Sequence, residues 1–547
     1  MLRKIINGKM NSVASAAVLL GLASLASRFL GILRDHILAG KFGVGNDLDI
    51  YYAAFRIPDL VFNIVVLGAL SAGFIPVFAS LLARKKEKEA WETANIVLNF
   101  ILVLLAAACL VLIVFTSQII NLIVPGFSQE KKDFTITLTR IMFLAPFFLT
   151  LSSVVGGILQ SFQRFFFYSL APVMYNIGII IGALVFVEWW GIYGLAWGVV
   201  LGALLHFLIQ LPTVYHLGFR YRWIWDLKNI ELRKIIKMMI PRTLTLFISQ
   251  LNLIVITVIA STLAVGSLVV FNFANNLQNL PLGLFAFSFA VASFPVFSTL
   301  SSQKKMSEFA KRLSLVTRQI LFLIVPASVL MIILRAQIVR VVLGTGKFSW
   351  TDTILTLETL QFFALSLFAQ GLIPLFARAF WSLHNTKTPF LIALISMLIN
   401  LAGCLIIPSL ANPWASDPNT PFGVTGLAIA FSLSSIVNAA LLFILISQKV
   451  KQLNKKEIFI SSVKISLAAI IAGMSAYQTL YFMASLINMR TFIGVLVQGS
   501  AAGIVGVLVY LLVSWILESK ELILLKSVLR RKIFKTKIKT VEVIENE

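Results

Sequence analysis

The chain has few charged residues for its length. Asp, Glu, Lys and Arg make up 12% of its 547 residues, which is about half their share in a soluble domain. Hydrophobic residues make up 59%, and the mean hydropathy is +0.94. A soluble fold of this size would leave more apolar surface than water tolerates. The composition therefore excludes a soluble enzyme, a secreted disulfide scaffold and a disordered chain, and it predicts a polytopic membrane protein.

Motifs for covalent, redox or nucleotide chemistry are also lacking. The two cysteines, Cys109 and Cys404, lie in apolar runs without a CxxC pair, and the four histidines are scattered. The segment GTGKF at 344–348 lacks the first glycine and the Ser or Thr of a P-loop, and no GxSxG occurs. We therefore expect no enzyme, no cofactor and no metal site. With no ATP site, we expect transport driven by a gradient or by the membrane potential.

Fourteen apolar runs are long enough to cross a membrane. Their predicted limits are 12–40, 48–83, 93–118, 134–160, 166–188, 191–217, 236–262, 265–300, 313–335, 354–382, 388–410, 422–447, 457–483 and 491–517. The net charge of +24 does not indicate nucleic acid here, because the basic residues alternate from loop to loop in step with these runs. By the positive-inside rule, both termini are predicted to be cytoplasmic.

An internal repeat relates the two halves of the chain. GFIPVFASLLARKK at 73–86 resembles SFPVFSTLSSQKK at 293–305, and GIYGLA at 191–196 resembles GVTGLA at 423–428. Both pairs are six runs apart, so the two copies have the same orientation. The predicted fold class is an all-α polytopic membrane protein with two parallel six-helix lobes and two further helices.

These features divide the chain into four predicted parts. The N-terminal lobe covers 1–217, the C-terminal lobe covers 236–447, two extra helices cover 457–517, and a basic cytoplasmic tail covers 518–547.

Charged side chains lie inside the first two runs, where each costs roughly 2.5 to 3.5 kcal/mol on insertion scales. They are Arg28, Arg34, Asp35, Arg56 and Asp59. Arg28 and Arg34 are about 120° apart on a helical wheel, so both can border one wide cavity. A guanidinium group donates two hydrogen bonds at once to phosphate. The alternative is structural: the arginines reach the headgroups, and Arg56 pairs with Asp59 at i,i+3.

Neutral polar residues mark the eighth run. Asn275, Asn276 and Asn279 share one helix face. This face either lines a cavity or forms hydrogen bonds between helices.

Several motifs together resemble the MurJ (MviN) family of lipid II flippases, in the superfamily that includes multidrug and toxin extruders. They are SLASRFLGILRDHILAGKFG, DIYYAAFRIPDL, GALSAGFIPVF, SQLNLIVITVIASTLAVGS and FANNLQNLPLGLF. The resemblance implies a monomer of the bacterial cytoplasmic (inner) membrane that serves peptidoglycan synthesis. It further implies that lipid II, an undecaprenyl diphosphate bearing a disaccharide-pentapeptide, moves from the cytoplasmic to the outer leaflet through a cavity between the lobes.

The resemblance also assigns residues to the substrate site. Ser27, Arg28, Arg34, Asp35 and Asp49 match family positions tied to the cavity or to activity. Arg56, Asn275, Asn276 and Asn279 complete our predicted substrate-binding set.

The chain departs from the family pattern at four positions. Phe62 and Leu67 stand where the family has a basic residue and a Glu, and Asn275 and Asn276 replace an Asp-Arg pair. Two substrates remain open at this point, lipid II or another polyprenyl-diphosphate-linked glycan. A cation-coupled multidrug exporter and a membrane-embedded transferase are the competing classes. The arginine-rich first lobe opposes the exporter, and the sequence offers no catalytic acid or histidine for the transferase.

Overall fold

The computed structural model describes residues 13–67, 73–413, 421–524 and 526. Within these ranges the regular structure is helical, apart from one isolated bridge between Ala411 and Pro421. In a bilayer, a helix satisfies its backbone hydrogen bonds within one segment, which is why apolar runs of this length form helices.

Within the described residues, each of the fourteen predicted runs contains helix; residues 12 and 68–72 of the first two runs lie outside the described ranges. The helices are α1 (Val13–Phe42), α2 (Asn46–Val61, continuing as Phe62–Leu67 and later Ile75–Ala83), α3 (Glu87–Val114), α4 (Gln129–Ser161), α5 (Phe165–Trp190), α6 (Tyr193–His216), α7 (Ile230–Ser261), α8 (Ser267–Ser302), α9 (Met306–Ile333), α10 (Trp350–Leu365 and Leu367–Ser382), α11 (Lys387–Ser409), α12 (Val424–Lys449), α13 (Lys455–Leu486) and α14 (Phe492–Ile516). Ten of them are long and apolar enough to cross a membrane, and α10 makes eleven if its two parts, bent by 46°, form one span. The all-helical polytopic fold is confirmed, and the count of fourteen crossings stays a prediction.

Two of the helices widen into π-helical turns close to proline. Pro58 precedes the turn Phe62–Leu67 in α2, and Pro281 directly precedes the turn Leu282–Ala286 in α8. Proline lacks an N–H and clashes with the preceding turn, whereas these π-helical turns begin after the proline, and a third, Gly182–Phe186 in α5, begins ten residues after Pro172. Each π-helical turn follows a segment that carries buried polar residues.

Glycines let α5 and α6 approach closely. A Cβ atom added at Gly178 would overlap the backbone of Gly202, and one added at Gly182 would overlap that of Gly198. Both helices therefore present small residues four positions apart, the arrangement that promotes close helix packing in lipid. This packing fixes the part of α5 that carries Asn176.

Contacts group the chain into two compact units. The first comprises Met1–Leu277, Val342–Thr359 and Ala393–Ser434, and the second comprises Gln278–Val341, Leu360–Ile392 and Ser435–Glu547. Because α8, α10, α11 and α12 contribute to both units, this grouping is no test of the predicted lobes 1–217 and 236–447, which stay a prediction along with the two further parts.

In the second unit, α13 and α14 pack on α9. The Tyr510 hydroxyl donates to the Phe322 carbonyl at 2.7 Å, and Leu334, Ala476 and Ala502 form a buried cluster. The outward faces of α13 and α14 carry many exposed large apolar residues. Such faces are stable where they meet lipid rather than water.

At one end of this second unit, Arg318 of α9 holds the segment that follows α14. Its guanidinium contacts Glu521, and its Nη2 lies 3.3 Å from the Glu457 carboxylate. Ser461 and Ser519 also donate to Glu521, at 3.0 and 2.7 Å. The carboxylate of Glu521 is thus buried but fully engaged.

Candidate substrate-binding site

Arg34 and Asp35 of α1 form a buried ion pair. The Arg34 Nε and Nη2 atoms donate to Asp35 Oδ1 at 3.0 and 2.8 Å. The Arg34 side chain is 22% exposed, whereas Asp35 is buried. Pairing a charge with its neighbour reduces the cost of holding both at bilayer depth. The guanidinium is therefore fixed in position while part of its surface remains accessible.

Asn176 of α5 completes the hold on this guanidinium. Its Oδ1 accepts from Arg34 Nη1 at 3.3 Å, and its Nδ2 donates to the Ser27 carbonyl and hydroxyl at 3.4 and 3.5 Å. Ser27 and Arg34 are thus joined through one amide, which the sequence analysis missed. The signal available was a single amide in the otherwise apolar run of α5, and that signal names no partner.

The geometry leaves donor capacity on Arg34. A guanidinium has five N–H groups, and three of them point to Asp35 and Asn176. The remaining two, one on Nη1 and one on Nη2, take part in none of these three bonds, and N–H groups of this kind donate well to phosphate oxygens. Arg28 lies half-buried on the same helix and adds a second cation to this part of α1.

The asparagine face of α8 reaches the same pair. Asn276 Nδ2 donates to Asp35 Oδ2 at 2.9 Å, so each oxygen of that carboxylate has a different partner. Asn275 and Asn279 are half-buried on the same helix. The structure therefore joins Ser27, Arg34, Asp35 and Asn276 in one connected group.

Arg56 of α2 forms a separate polar contact with α7 and α8. Its Nε donates to Thr257 Oγ1 at 2.7 Å, and its Nη2 donates to Asn272 Oδ1 at 3.1 Å. Sequence reasoning missed both of these partners, and it named Asp59, which interacts with Arg56 through its charge and not through one of these hydrogen bonds. Because hydroxyl and amide oxygens are neutral, they satisfy the guanidinium without cancelling its charge.

Asp49 serves a different purpose from the other predicted site residues. Its Oδ2 accepts from the Gly266 N–H at 2.8 Å and from Lys131 Nζ at 3.2 Å, and its Oδ1 accepts from the Val269 N–H at 3.3 Å. Gly266 and Val269 flank the first residue of α8, so Asp49 caps that helix from α2. Asp49 thus contacts the N-terminus of α8, not the Arg34 group.

Backbone contacts also hold this end of the first unit together. The Lys347 N–H donates to the Gly40 carbonyl at 2.8 Å, and His36 Nδ1 lies 2.8 Å from the Val342 carbonyl oxygen. Gly43, with φ of +68°, brings its backbone so close that an added Cβ would lie 2.8 Å from the Lys347 carbonyl oxygen. A side chain at this position would force the contact apart. We use the name outer latch for Asp49, Lys131 and the α8 N-terminus, after the side of the membrane on which the positive-inside rule predicts this end to lie.

These features define a class, namely a multi-pass helical membrane protein with arginine side chains held between its helices. A solved structure described as "Lipid II flippase MurJ, inward closed conformation" is similar over 94% of this chain and all of that one, with a TM-score of 0.73 and 27% identity. The fold also resembles an inward-facing multidrug resistance MATE family transporter of the MOP superfamily, with a TM-score of 0.65 and 16% identity, over 78% of this chain and 96% of that one.

The sequence comparisons agree with the structural one. A sequence model of the family described as "Lipid II flippase MurJ" matches residues 38–497. A probable lipid II flippase MurJ of Buchnera aphidicola subsp. Schizaphis graminum is 29% identical over 87% of this chain and 91% of its own length. A lipid II flippase MurJ of Burkholderia cenocepacia is 27% identical over 77% of this chain and 81% of its own length. The chain belongs to the lipid II flippase MurJ family, which confirms the resemblance seen in its motifs.

Proposed function

We propose that this protein moves lipid II from the cytoplasmic to the outer leaflet by alternating access, and that Arg28 and Arg34 hold the diphosphate. The observation that carries the proposal is the position of Arg34. Asp35 and Asn176 fix its guanidinium, and these bonds leave two of its N–H groups for a phosphate. Names of relatives and of the similar MurJ structure support the same substrate.

The proposed setting is the bacterial cytoplasmic membrane, with the protein acting as a monomer and not as an enzyme. Both termini face the cytoplasm, and the outer latch faces the opposite side. In this arrangement the anionic head enters from the cytoplasmic side while the latch is closed. Opening the latch and closing the other side then release the head outward, while the polyprenyl tail stays in lipid. An inside-negative membrane potential favours outward movement of an anion, by about 2.3 kcal/mol per charge per 100 mV.

A second substrate class, another polyprenyl-diphosphate-linked glycan, is favoured by one observation. Asn276 donates to Asp35 at 2.9 Å where the family pattern has a cation, so the α8 side of the group is neutral. A change of charge at the site shifts the balance between glycans that differ in their own charge. The diphosphate requirement at Arg34 is the same for both substrates.

The test is a flipping assay in vesicles with fluorescent lipid II. Arg34→Ala removes the fixed guanidinium, and we expect initial flipping to fall roughly 10- to 100-fold, as for the loss of a charge-assisted hydrogen bond pair of about 1.5–3 kcal/mol. Arg34→Lys keeps the positive charge but loses the paired N–H donors of the guanidinium. Its initial flipping should therefore lie between that of the wild type and that of Arg34→Ala. Arg490→Ala, in an exposed turn, is the matched control and keeps wild-type flipping.

Two results would count against the proposal. Wild-type flipping by Arg34→Ala would remove Arg34 from the site. Equal flipping of lipid II and of a polyprenyl monophosphate glycan by the wild-type protein would show that the diphosphate is not what the site recognises.

A further inference from the structure

The connector between α6 and α7, residues 217–229, has an extended segment with a regular alternation of side chains. Tyr221, Trp223 and Trp225 are 56%, 64% and 47% exposed. The rings of Trp223 and Trp225 stack with centroids 6.3 Å apart and planes 9° apart. Residues two apart on an extended chain share a face, so the three aromatic residues form one stripe, which we call the aromatic stripe.

Two buried asparagines of α3 hold this segment by its backbone. Asn95 accepts from the Arg222 N–H at 2.7 Å and donates to the Arg220 carbonyl at 3.2 Å. Asn99 donates to the carbonyls of Arg222 and Ile224, both at 3.1 Å. The stripe is therefore presented by a fixed backbone and is not the chance exposure of a loose loop.

The surroundings of the stripe are basic and apolar. Exposed cations flank it, at Arg220, Arg222, Lys228, Arg233, Lys234 and Lys237. Two acids lie among them, Asp226, whose carboxylate accepts from the Lys228 N–H, and Glu231, which pairs with Lys234. Leu227 and Ile230 continue the exposed apolar surface beyond the rings.

We infer that the connector is a docking surface for the anionic lipid headgroups of the leaflet on its own side of the membrane. Tyrosine and tryptophan side chains favour the boundary between headgroups and acyl chains, and clustered Lys and Arg favour anionic lipids. The segment directly follows α6, a helix long and apolar enough to cross a membrane, and so begins near that boundary. Two other occupants of the aromatic stripe fit less well. A glycan would bind the stacked rings but would not use the exposed apolar side chains of Leu227 and Ile230. A soluble partner would require the stripe to face water.

The first experiment locates the stripe relative to the bilayer. The signal is the intrinsic fluorescence of Trp223 and Trp225 in nanodiscs. It is obtained by subtracting the emission of a Trp223→Ser/Trp225→Ser variant from that of the wild type. We expect a quencher attached near the lipid headgroup to quench this difference at least twofold more than one at the acyl-chain end. Trp189→Ser/Trp190→Ser, an exposed pair at the end of α5, gives the control difference spectrum. Quenching by aqueous iodide alone, as expected for a stripe awaiting a glycan or a soluble protein, would overturn the inference.

The second experiment tests the preference for anionic lipid. Brominated phosphatidylglycerol and brominated phosphatidylcholine are compared as quenchers of the same difference emission, each variant against its own serine double variant. Arg222→Gln removes one charge but keeps the contacts with Asn95 and Asn99, since those use backbone atoms. In Arg222→Gln we expect the preference for phosphatidylglycerol to be up to roughly fivefold weaker than in the wild type. Arg490→Gln should leave this preference unchanged. Equal quenching by the two lipids in the wild-type protein would refute the anionic preference.

Discussion

Asp49 offers a direct test of how the outer latch is held. Its carboxylate accepts two N–H groups at the start of α8 and one from Lys131. A helix cap contributes about 1 kcal/mol, and a buried charge at a helix N-terminus contributes up to about 2 kcal/mol more. Asp49→Ala is therefore expected to destabilise the closed end by about 2–3 kcal/mol. This corresponds to a roughly 30- to 150-fold rise in the ratio of open to closed molecules.

The assay uses a cysteine that only the open state exposes. Ala39 is fully buried on α1, next to Gly40, whose carbonyl accepts from Lys347. Ala39→Cys is introduced after Cys109 and Cys404 are replaced by alanine, and labelling by a membrane-impermeant maleimide measures opening. The labelling rate should rise with Asp49→Ala by the factor above, up to the rate of a fully exposed thiol.

Two further variants separate the parts of the latch. Asp49→Asn keeps an oxygen that accepts an N–H but loses the charge, so we expect a rise of roughly fivefold, from about 1 kcal/mol. Asp47→Ala removes an exposed acid two residues earlier and should leave the rate unchanged. If Asp49→Ala labels no faster than Asp47→Ala, the carboxylate does not hold this end closed.

Two other predictions concern stability. Gly182→Leu places side-chain atoms against Gly198 and should lower the free energy of unfolding by about 1–3 kcal/mol, seen as a lower Tm, whereas Gly21→Leu, where an added Cβ meets nothing within 4 Å, should not. Burial acts to raise the pKa of Glu521, but hydrogen bonds from Ser519 and Ser461 and the charge of Arg318 outweigh it, so the pKa lies below its ordinary value of 4.5. A carboxyl with a lowered folded-state pKa stabilises the fold above its unfolded pKa and loses that effect as pH falls through the folded value. The Tm gap between wild type and Glu521→Gln should therefore be constant near neutral pH and shrink below about pH 4.5; a gap that persists to lower pH would contradict the assignment.

The helices followed from the sequence because one physical rule dominates in lipid. Backbone groups that find no water must bond within their own segment, so hydropathy predicts the apolar helices, of which ten in the described part of the chain are long and apolar enough to cross a membrane. It does not predict the widened turns, because Pro172 lies in a regular stretch of α5 whereas Pro281 adjoins a π-helical turn. The local sequence does not predict which proline is followed by a π-helical turn, because the backbone geometry also depends on how neighbouring helices pack.

The sequence predicts the charged residues of the site but not the neutral residues that form hydrogen bonds with them. Arginines at depth stand out because their cost demands a reason, and Arg34 and Asp35 are neighbours in the chain. Asn176, Thr257 and Asn272 carry no charge, and each lies more than a hundred residues from the side chain it holds. The capping of α8 by Asp49 was not predicted for a related reason, because the N–H groups that Asp49 accepts lie 217 and 220 residues away.

The neutral side chain of Asn276 has a consequence for the balance of charge around Asp35. Asn276 preserves a hydrogen bond to Asp35 at 2.9 Å but contributes no positive charge, so the direct charge partner of Asp35 is Arg34. A cation at position 276 would share that role and leave Arg34 more available to an anion. Under the proposed function, Arg34 binds phosphate while it also neutralises Asp35, so we expect Arg28 and Arg56 to supply part of the positive charge that balances a diphosphate. The hydrogen-bond partners of Arg56, Thr257 and Asn272, are neutral.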